Sequence, residues 1–276
     1  MHPFLEADPP GTVRAIAHRG GAAGAPENTV AAFALAVGHG YSVLETDVHA
    51  TRDGMLVVSH DATFARVAGD PRPIVELTAA EVAEVRIAGE PVPTLAELLA
   101  SFPTARFSID LKADTAVAPM LRLLRDDPSV LERIVIGSFR SARVAAIRVE
   151  LGRRACTMAT PREVVALLLA ARTGRRPRRV AADCAAVPER WPGSELGDTG
   201  RLRIGEPRLL AMAHELGLPM HVWTVNDADR VRALLAAGAA GFVTDELTML
   251  RGVLEEAGVW AGASRDGSGD AEASPH

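Results

Sequence analysis

The sequence predicts an α/β protein, a (β/α)8 (TIM) barrel with a β-hairpin after its second strand and a short insertion. Three observations predict it. Strand-like apolar runs alternate with stretches of helical periodicity, and the helix-separated strands number eight, the count that closes a barrel. The length, 276 residues, falls within the range of one such domain. Ionisable residues also recur at the C-terminal ends of these strands, the face on which such barrels carry their chemistry. The boundaries follow: residues 1–12 form a loose N-terminal lead, 13–260 the barrel, 62–93 a short insertion, and 261–276 a disordered Gly/Ser/Ala-rich acidic tail.

Residues 13–17 are a short apolar run that releases into His18-Arg19-Gly20-Gly21, as a buried strand does into a glycine-rich loop. Asn28 or Thr29 caps a helix over 30–37, with Phe33 and Val37 on one face and Gly38 and Gly40 ending it. Residues 43–61, VLETDVHATRDGMLVVSHD, organise the rest. Glu45, Asp47 and His49 alternate with Thr46, Val48 and Ala50, so a strand here sends all three ionisable groups out on one face. Asp53-Gly54 suits a two-residue hairpin loop, which sets Arg52 opposite Met55 and brings His60 within a residue or two of the position opposite Asp47.

Thr78 and Glu81 have capping-box spacing before a short helix, and another helix runs over 95–101. RFSIDL at 106–111 alternates again, with Phe107, Ile109 and Leu111 on one side and Ser108, Asp110 and Lys112 on the other. Strands are then expected over 134–138, 155–158, 180–183, 220–225 and 241–244, separated by helices over 142–151, 162–171, 207–216 and 227–237.

Composition excludes several classes. The net charge of −5 gives no basis for nucleic-acid binding, and the basic cluster Arg172, Arg175, Arg176, Arg178 and Arg179 reads as a solvated loop. No apolar run is long enough to span a bilayer, and the start, MHPFLEADPPG, lacks the basic and apolar regions of a signal peptide. Cys156 and Cys184 read as small buried apolar residues in a reducing compartment. The expectation is a cytoplasmic protein with no stable membrane association.

At the strand ends, His18 and Arg19 follow the first strand, Glu45 and Asp47 lie on the second, Asp110 and Lys112 on the third, and Trp223 on the seventh, while His60 returns through the hairpin. Three carboxylates suit a hard divalent cation, Mg2+ or Ca2+. Arg19 and Lys112 suit a phosphate, and the two histidines suit proton transfer near neutral pH. Each also has a plainer reading: Glu45 and Asp47 as surface charges, Asp110 and Lys112 as a salt bridge, Trp223 as core. His49 lies nearer the turn and reads as a pocket-edge or exposed residue rather than a ligand.

The ordered set HRG (18–20), PENT (26–29), ETD (45–47), TRDG (51–54), VVSHD (57–61), PTL (93–95), SIDLK (108–112), VWTVND (222–227) and GFVTD (241–245) resembles the glycerophosphodiester phosphodiesterase family. The resemblance implies a distorted (β/α)8 barrel that hydrolyses glycerophosphodiesters to glycerol 3-phosphate and an alcohol with a divalent metal. It further implies Glu45, Asp47 and Asp110 as metal ligands, His18 and His60 as the acid-base pair, Arg19 and Lys112 as phosphate contacts, and Trp223 as a substrate-lining aromatic. Asp110 stands where the family usually has glutamate, Glu246 replaces a common proline, and the insertion that covers the glycerol site in family members is compact here. Rival readings are a lysophospholipase D-like or phosphoinositide-type phosphodiesterase and a non-catalytic phosphodiester-binding protein.

Overall fold

The computed structural model describes residues 2–6, 8–177, 180–189 and 207–262. Nine strands form the main sheet: β1 (Arg14–His18), β2 (Val43–Ala50), β3 (Leu56–Val58), β4 (Arg106–Leu111), β5 (Ile134–Gly137), β6 (Cys156–Thr157), β7 (Ala185–Pro188), β8 (Met220–Trp223) and β9 (Gly241–Thr244). All but β3 pair in parallel, in the order β6-β5-β4-β2-β1-β9-β8-β7. The two ends of that order meet at a parallel bridge between Met158 and Cys184, where Asp183 N–H donates to the Thr157 carbonyl at 2.9 Å and Ala159 N–H to the Cys184 carbonyl at 2.8 Å. The sheet therefore closes into the eight-stranded barrel.

Helices on the outside connect the strands: α1 (Val30–Gly38), α2 (Leu95–Ser101), α3 (Val117–Asp126), α4 (Ser141–Leu151), α5 (Pro161–Thr173), α6 (Pro207–Glu215), α7 (Ala228–Ala236) and α8 (Leu247–Glu256). Their starts are written in the sequence. Thr94 with Glu97 and Thr160 with Glu163 close capping boxes at α2 and α5, and Thr29, not Asn28, caps α1. Of the two residues expected on one face of α1, Phe33 is buried and Val37 is exposed. Among the described residues no helix is long and apolar enough to cross a membrane.

Three elements depart from expectation. The hairpin loop has three residues rather than two: Thr51 N–H donates to the Met55 carbonyl at 2.9 Å, and Gly54 takes φ +82°. Thr51 Oγ1 accepts from Met55 N–H at 2.9 Å and holds that longer turn, so Ser59 lies across from Asp47 and His60 one residue on, within the expected offset. The sixth barrel strand is 185–188, not 180–183, because Asp183 turns its carboxylate to accept the Thr157 N–H at 2.8 Å and so ends the loop at the seam. Beyond it, Ala185 and Val187 are buried.

The third departure is the lead, which is packed rather than loose. Phe4 and Leu5, on a short helix (Pro3–Glu6), are buried against Ile16, Val43, Val135, Cys156, Cys184 and Val243, and close the barrel floor. Burying two such side chains contributes about 2 kcal/mol each. Arg14 and Arg106, both buried, stack on the Phe4 ring at 5.4 and 5.7 Å and both pair with Asp8. Of the basic cluster expected in a loop, Arg172 lies instead in the last turn of α5, and it, Arg175 and Arg176 are exposed, whereas Arg178, Arg179 and tail residues 263–276 lie outside the described residues.

His221 sits above this floor, fully enclosed, and its Nε2 accepts a hydrogen bond from Arg14 Nη1 at 3.0 Å. A ring nitrogen that accepts from a guanidinium must be unprotonated. Burial and then the Arg14 charge push its pKa from 6.5 down to about 3. The unfolded chain therefore binds a proton here before the native state does, and stability from this site is present above pH 6.5 and drains away as pH falls toward 3. The stability difference between the natural protein and His221→Gln is expected to shrink by about 1.4 kcal/mol per pH unit below pH 6.5. Denaturant melts of both proteins from pH 7 to pH 4 check this, and parallel acid limbs would contradict it.

Candidate active site

β1 ends at His18, and the chain then turns through three successive left-handed residues, Arg19 (φ +51°), Gly20 (+85°) and Gly21 (+88°). A Cβ on Gly20 would lie 2.7 Å from the Ala32 Cβ, so α1 presses on this turn and admits only glycine. Arg19 is not glycine and holds a rarely populated conformation, which its surroundings enforce. Its N–H donates to Glu45 Oε2 at 3.2 Å, its carbonyl accepts from Asn28 N–H at 2.9 Å, and its guanidinium meets Glu27 Oε1 at 3.1 Å and Asp47 Oδ2 at 3.3 Å.

Strand register brings the acidic groups together. His18 lies beside Glu45, and Asp47 beside Asp110, as paired residues on adjacent parallel strands. Lys112 Nζ stands between the two aspartates, 2.9 Å from Asp47 and 2.7 Å from Asp110. Burial works against its charge, but the two carboxylates prevail and hold its pKa above the usual lysine range. Burial, and then the Asp47 charge, push the Glu45 carboxyl well above the usual carboxylate range.

Both histidines are gripped from behind. His18 Nδ1–H donates to Asp245 Oδ1 at 2.7 Å, which leaves Nε2 facing the site, 4.0 Å from Glu45. Burial disfavours the imidazolium, but Asp245 and Glu45 outweigh it, and the His18 pKa is raised. Asn226 Nδ2 donates to the other Asp245 oxygen at 2.8 Å and fixes that carboxylate in turn. His60 repeats the arrangement, its Nδ1–H donating to Asp61 Oδ1 at 2.7 Å.

These groups surround a cavity of about 290 Å³. The eight residues singled out in the sequence, His18, Arg19, Glu45, Asp47, His60, Asp110, Lys112 and Trp223, all line it. The opposite wall is apolar, with Phe139, Met158, Val187 and Pro188 beside Trp223, and the Phe139 and Trp223 rings meet edge to face at 5.8 Å. His49 is neither exposed nor part of the lining. It is buried, its Nε2–H donates to the His60 carbonyl at 3.3 Å, and burial lowers its pKa, so it braces the histidine loop as a neutral ring.

Several members of the site had no assigned role in the sequence. Asp61 and Asp245 fall inside quoted motifs, and the signal available was a carboxylate placed just past a strand that also carries, or neighbours, a histidine. Phe139 follows the end of β5, the rim position from which such barrels draw their site residues. Ser108 shares the Glu45 row of the sheet and also lines the cavity.

The donor set fits a hard divalent cation by its chemistry. Asp47 Oδ2 and Asp110 Oδ1 are buried without a hydrogen-bond partner, and Glu45 is crowded by a second carboxylate. With the Lys112 ammonium seated between the aspartates, no three His, Cys, Asp or Glu side chains among the described residues stand as a ready cage.

The sequence pattern of the glycerophosphoryl diester phosphodiesterase family matches residues 18–249, most of the chain. The chain belongs to this family. It is 32% identical over 255 residues, covering 90% of this chain and 93% of the other, to a Mycobacterium tuberculosis protein named "Probable glycerophosphodiester phosphodiesterase 2". The fold is shared with a solved chain from Silicibacter pomeroyi (TM-score 0.75, 25% identity, 94% of this chain and 99% of that one). It is also shared with an Oleispira antarctica phosphodiesterase solved with its product sn-glycerol-3-phosphate (TM-score 0.71, 18% identity, 88% and 97%). Members of the glycerophosphoryl diester phosphodiesterase family thus carry the same barrel that here gathers two histidines and three carboxylates.

Proposed function

We propose that this phosphodiesterase hydrolyses glycerophosphodiesters to glycerol 3-phosphate and an alcohol, with His18 and His60 moving the protons. One observation carries the reading: two imidazoles line one cavity, each tethered through Nδ1 to a carboxylate, so each offers Nε2 in a fixed tautomer. One takes a proton from the attacking oxygen and the other returns one to the leaving alcohol, whether the attacker is water or the substrate's own neighbouring hydroxyl. Arg19 and Lys112 orient the phosphate and meet the charge that builds on its oxygens. The Trp223 and Phe139 rings and their apolar neighbours pack against the carbon skeleton and exclude water.

Glu45, Asp47 and Asp110 would hold Mg2+ or Ca2+, which supplies neutralisation of phosphate charge. Lys112 must then yield at least one of its two carboxylates, and a phosphate oxygen is the natural acceptor for the freed ammonium. We place the protein in a reducing, cytoplasmic setting, in which the buried Cys156 and Cys184 would stay as thiols.

Turnover of glycerophosphocholine and glycerophosphoethanolamine, with and without chelator, tests the proposal. Release of glycerol 3-phosphate is expected, abolished by chelator and restored by Mg2+ or Ca2+. Preference for a lysophospholipid in the same assay would shift the substrate class, and turnover indifferent to chelator would remove the cation from the reading.

A further inference from the structure

One side chain outside the cavity ties its two working edges together. Arg66 lies on a short helix of the insertion (Ala65–Ala68) and does not line the cavity. Its guanidinium forks onto Glu27, with Nη1 donating to Oε2 at 2.8 Å and Nη2 to Oε1 at 2.7 Å, while Nε donates to Asp61 Oδ2 at 2.7 Å. Glu27 Oε1 also accepts from Arg19 Nη1 at 3.1 Å, and Asp61 Oδ1 accepts from His60 Nδ1 at 2.7 Å. The result is an unbroken relay of contacts, Arg19 to Glu27 to Arg66 to Asp61 to His60, with Arg66 at its centre.

Arg66 is 50% exposed, and surface ion pairs at such positions contribute little to folding. What the planar fork does supply is direction, since all three of its bonds are satisfied in only one orientation. The backbone beneath it is anchored: Phe64, two residues earlier, is wholly buried in a cluster with Val57 of β3 and Ile74, Leu77, Val82 and Ile87 of the insertion. A rigid platform thus presents one guanidinium to two carboxylates, each of which holds a cavity-lining side chain.

We propose that Arg66 is a positioning residue through which the insertion sets the His60 imidazole and the Arg19 guanidinium in one frame. The inference rests on the proposed roles of His60 in proton transfer and Arg19 in phosphate binding. Without the fork, Asp61 is free to turn and the His60 ring loses its fixed direction, so turnover suffers. Loss of the Glu27 clamp loosens Arg19, so KM rises. Lysine keeps the charge but cannot make the three directed bonds.

The test is a double-mutant cycle on glycerophosphoethanolamine, with Arg66→Gln and Arg66→Lys made in the natural protein and in a His60→Ala background. Arg66→Gln is expected to lower kcat at least about tenfold. Its thermal midpoint should move by less than about 3 °C. Arg66→Lys should recover little of the loss. In the His60→Ala background the further fall in kcat should shrink to under about twofold, because the route through His60 is already gone. Unchanged kcat in Arg66→Gln, an equal loss in both backgrounds, full rescue by lysine, or a loss matched by unfolding would each overturn the proposal. Near-normal turnover by His60→Ala alone would instead overturn the functional reading beneath it, and that result is visible before Arg66 is touched.

Discussion

Replacing His60 by alanine is expected to lower kcat by about 100-fold or more, the contribution of a positioned proton-transfer group. The thermal midpoint should hardly move, because the ring is about one-third exposed and packs into no core cluster. Its tether also survives the change: Asp61 still accepts from Arg66 Nε at 2.7 Å, so the loop keeps its ion pair. Steady-state kinetics beside a thermal melt separate the two effects. Retention of near-normal kcat would show that the proton moves elsewhere, whatever the geometry at Asp61.

Lys112→Met should damage both activity and folding, which sets it apart from His60→Ala. The ammonium stands between Asp47 and Asp110, with Asp47 almost wholly enclosed, so an isosteric apolar stem leaves Asp110 without its counter-charge and Asp47 with Arg19 at 3.3 Å alone. Breaking a pair in this way leaves an uncompensated charge, and a loss of about 1–3 kcal/mol is expected at a mouth that keeps some contact with water. kcat/KM should fall by about 100-fold, because a phosphate cation is lost as well. A divalent cation added to the variant should restore more of the midpoint than it adds to the natural protein, since it neutralises the same carboxylates. Thermal melts with Mg2+, Ca2+ and chelator report this, and a variant as stable as its parent that gains nothing from either ion would refute the carboxylate cluster as a cation site.

The parts of this molecule that were legible in its sequence are those fixed by local chemistry. Helix 95–101 and strand 241–244 appear with the expected limits, because a Thr-x-x-Glu box starts the first and the strand-favouring run Phe242-Val243-Thr244, between glycine and aspartate, defines the second. Seven of the eight predicted cavity residues were legible for a different reason: a parallel barrel sends the C-terminal end of every strand to one rim, so counting strands is enough to place them, while His60 followed from the hairpin. Interactions set by distant partners were hidden. Nothing near Phe4 announces that the barrel floor needs a plug, and nothing near Arg66 names Glu27, which lies 39 positions earlier. The hairpin register slipped by one residue because Asp53-Gly54 specifies a turn but not whether Thr51 will bind Met55 across it. The sixth strand was displaced because 180–183 is as apolar as its successor, and only the tie between Asp183 and Thr157 decides where the sheet resumes.

The junction at Met158 and Cys184 gives this cylinder a preferred line of weakness. Elsewhere neighbouring staves pair at two or more positions, from Cys156 and Thr157 against β5 up to the six between β2 and β4 from Val43 to Val48, whereas here the shortest stave, Cys156–Thr157, meets its other neighbour through the single bridge just past its end. Breathing of the wall should start along this line, where the least backbone pairing has to be undone. Both thiols of the molecule lie beside it, so their access to an alkylating reagent is a natural gauge of how often the cylinder parts.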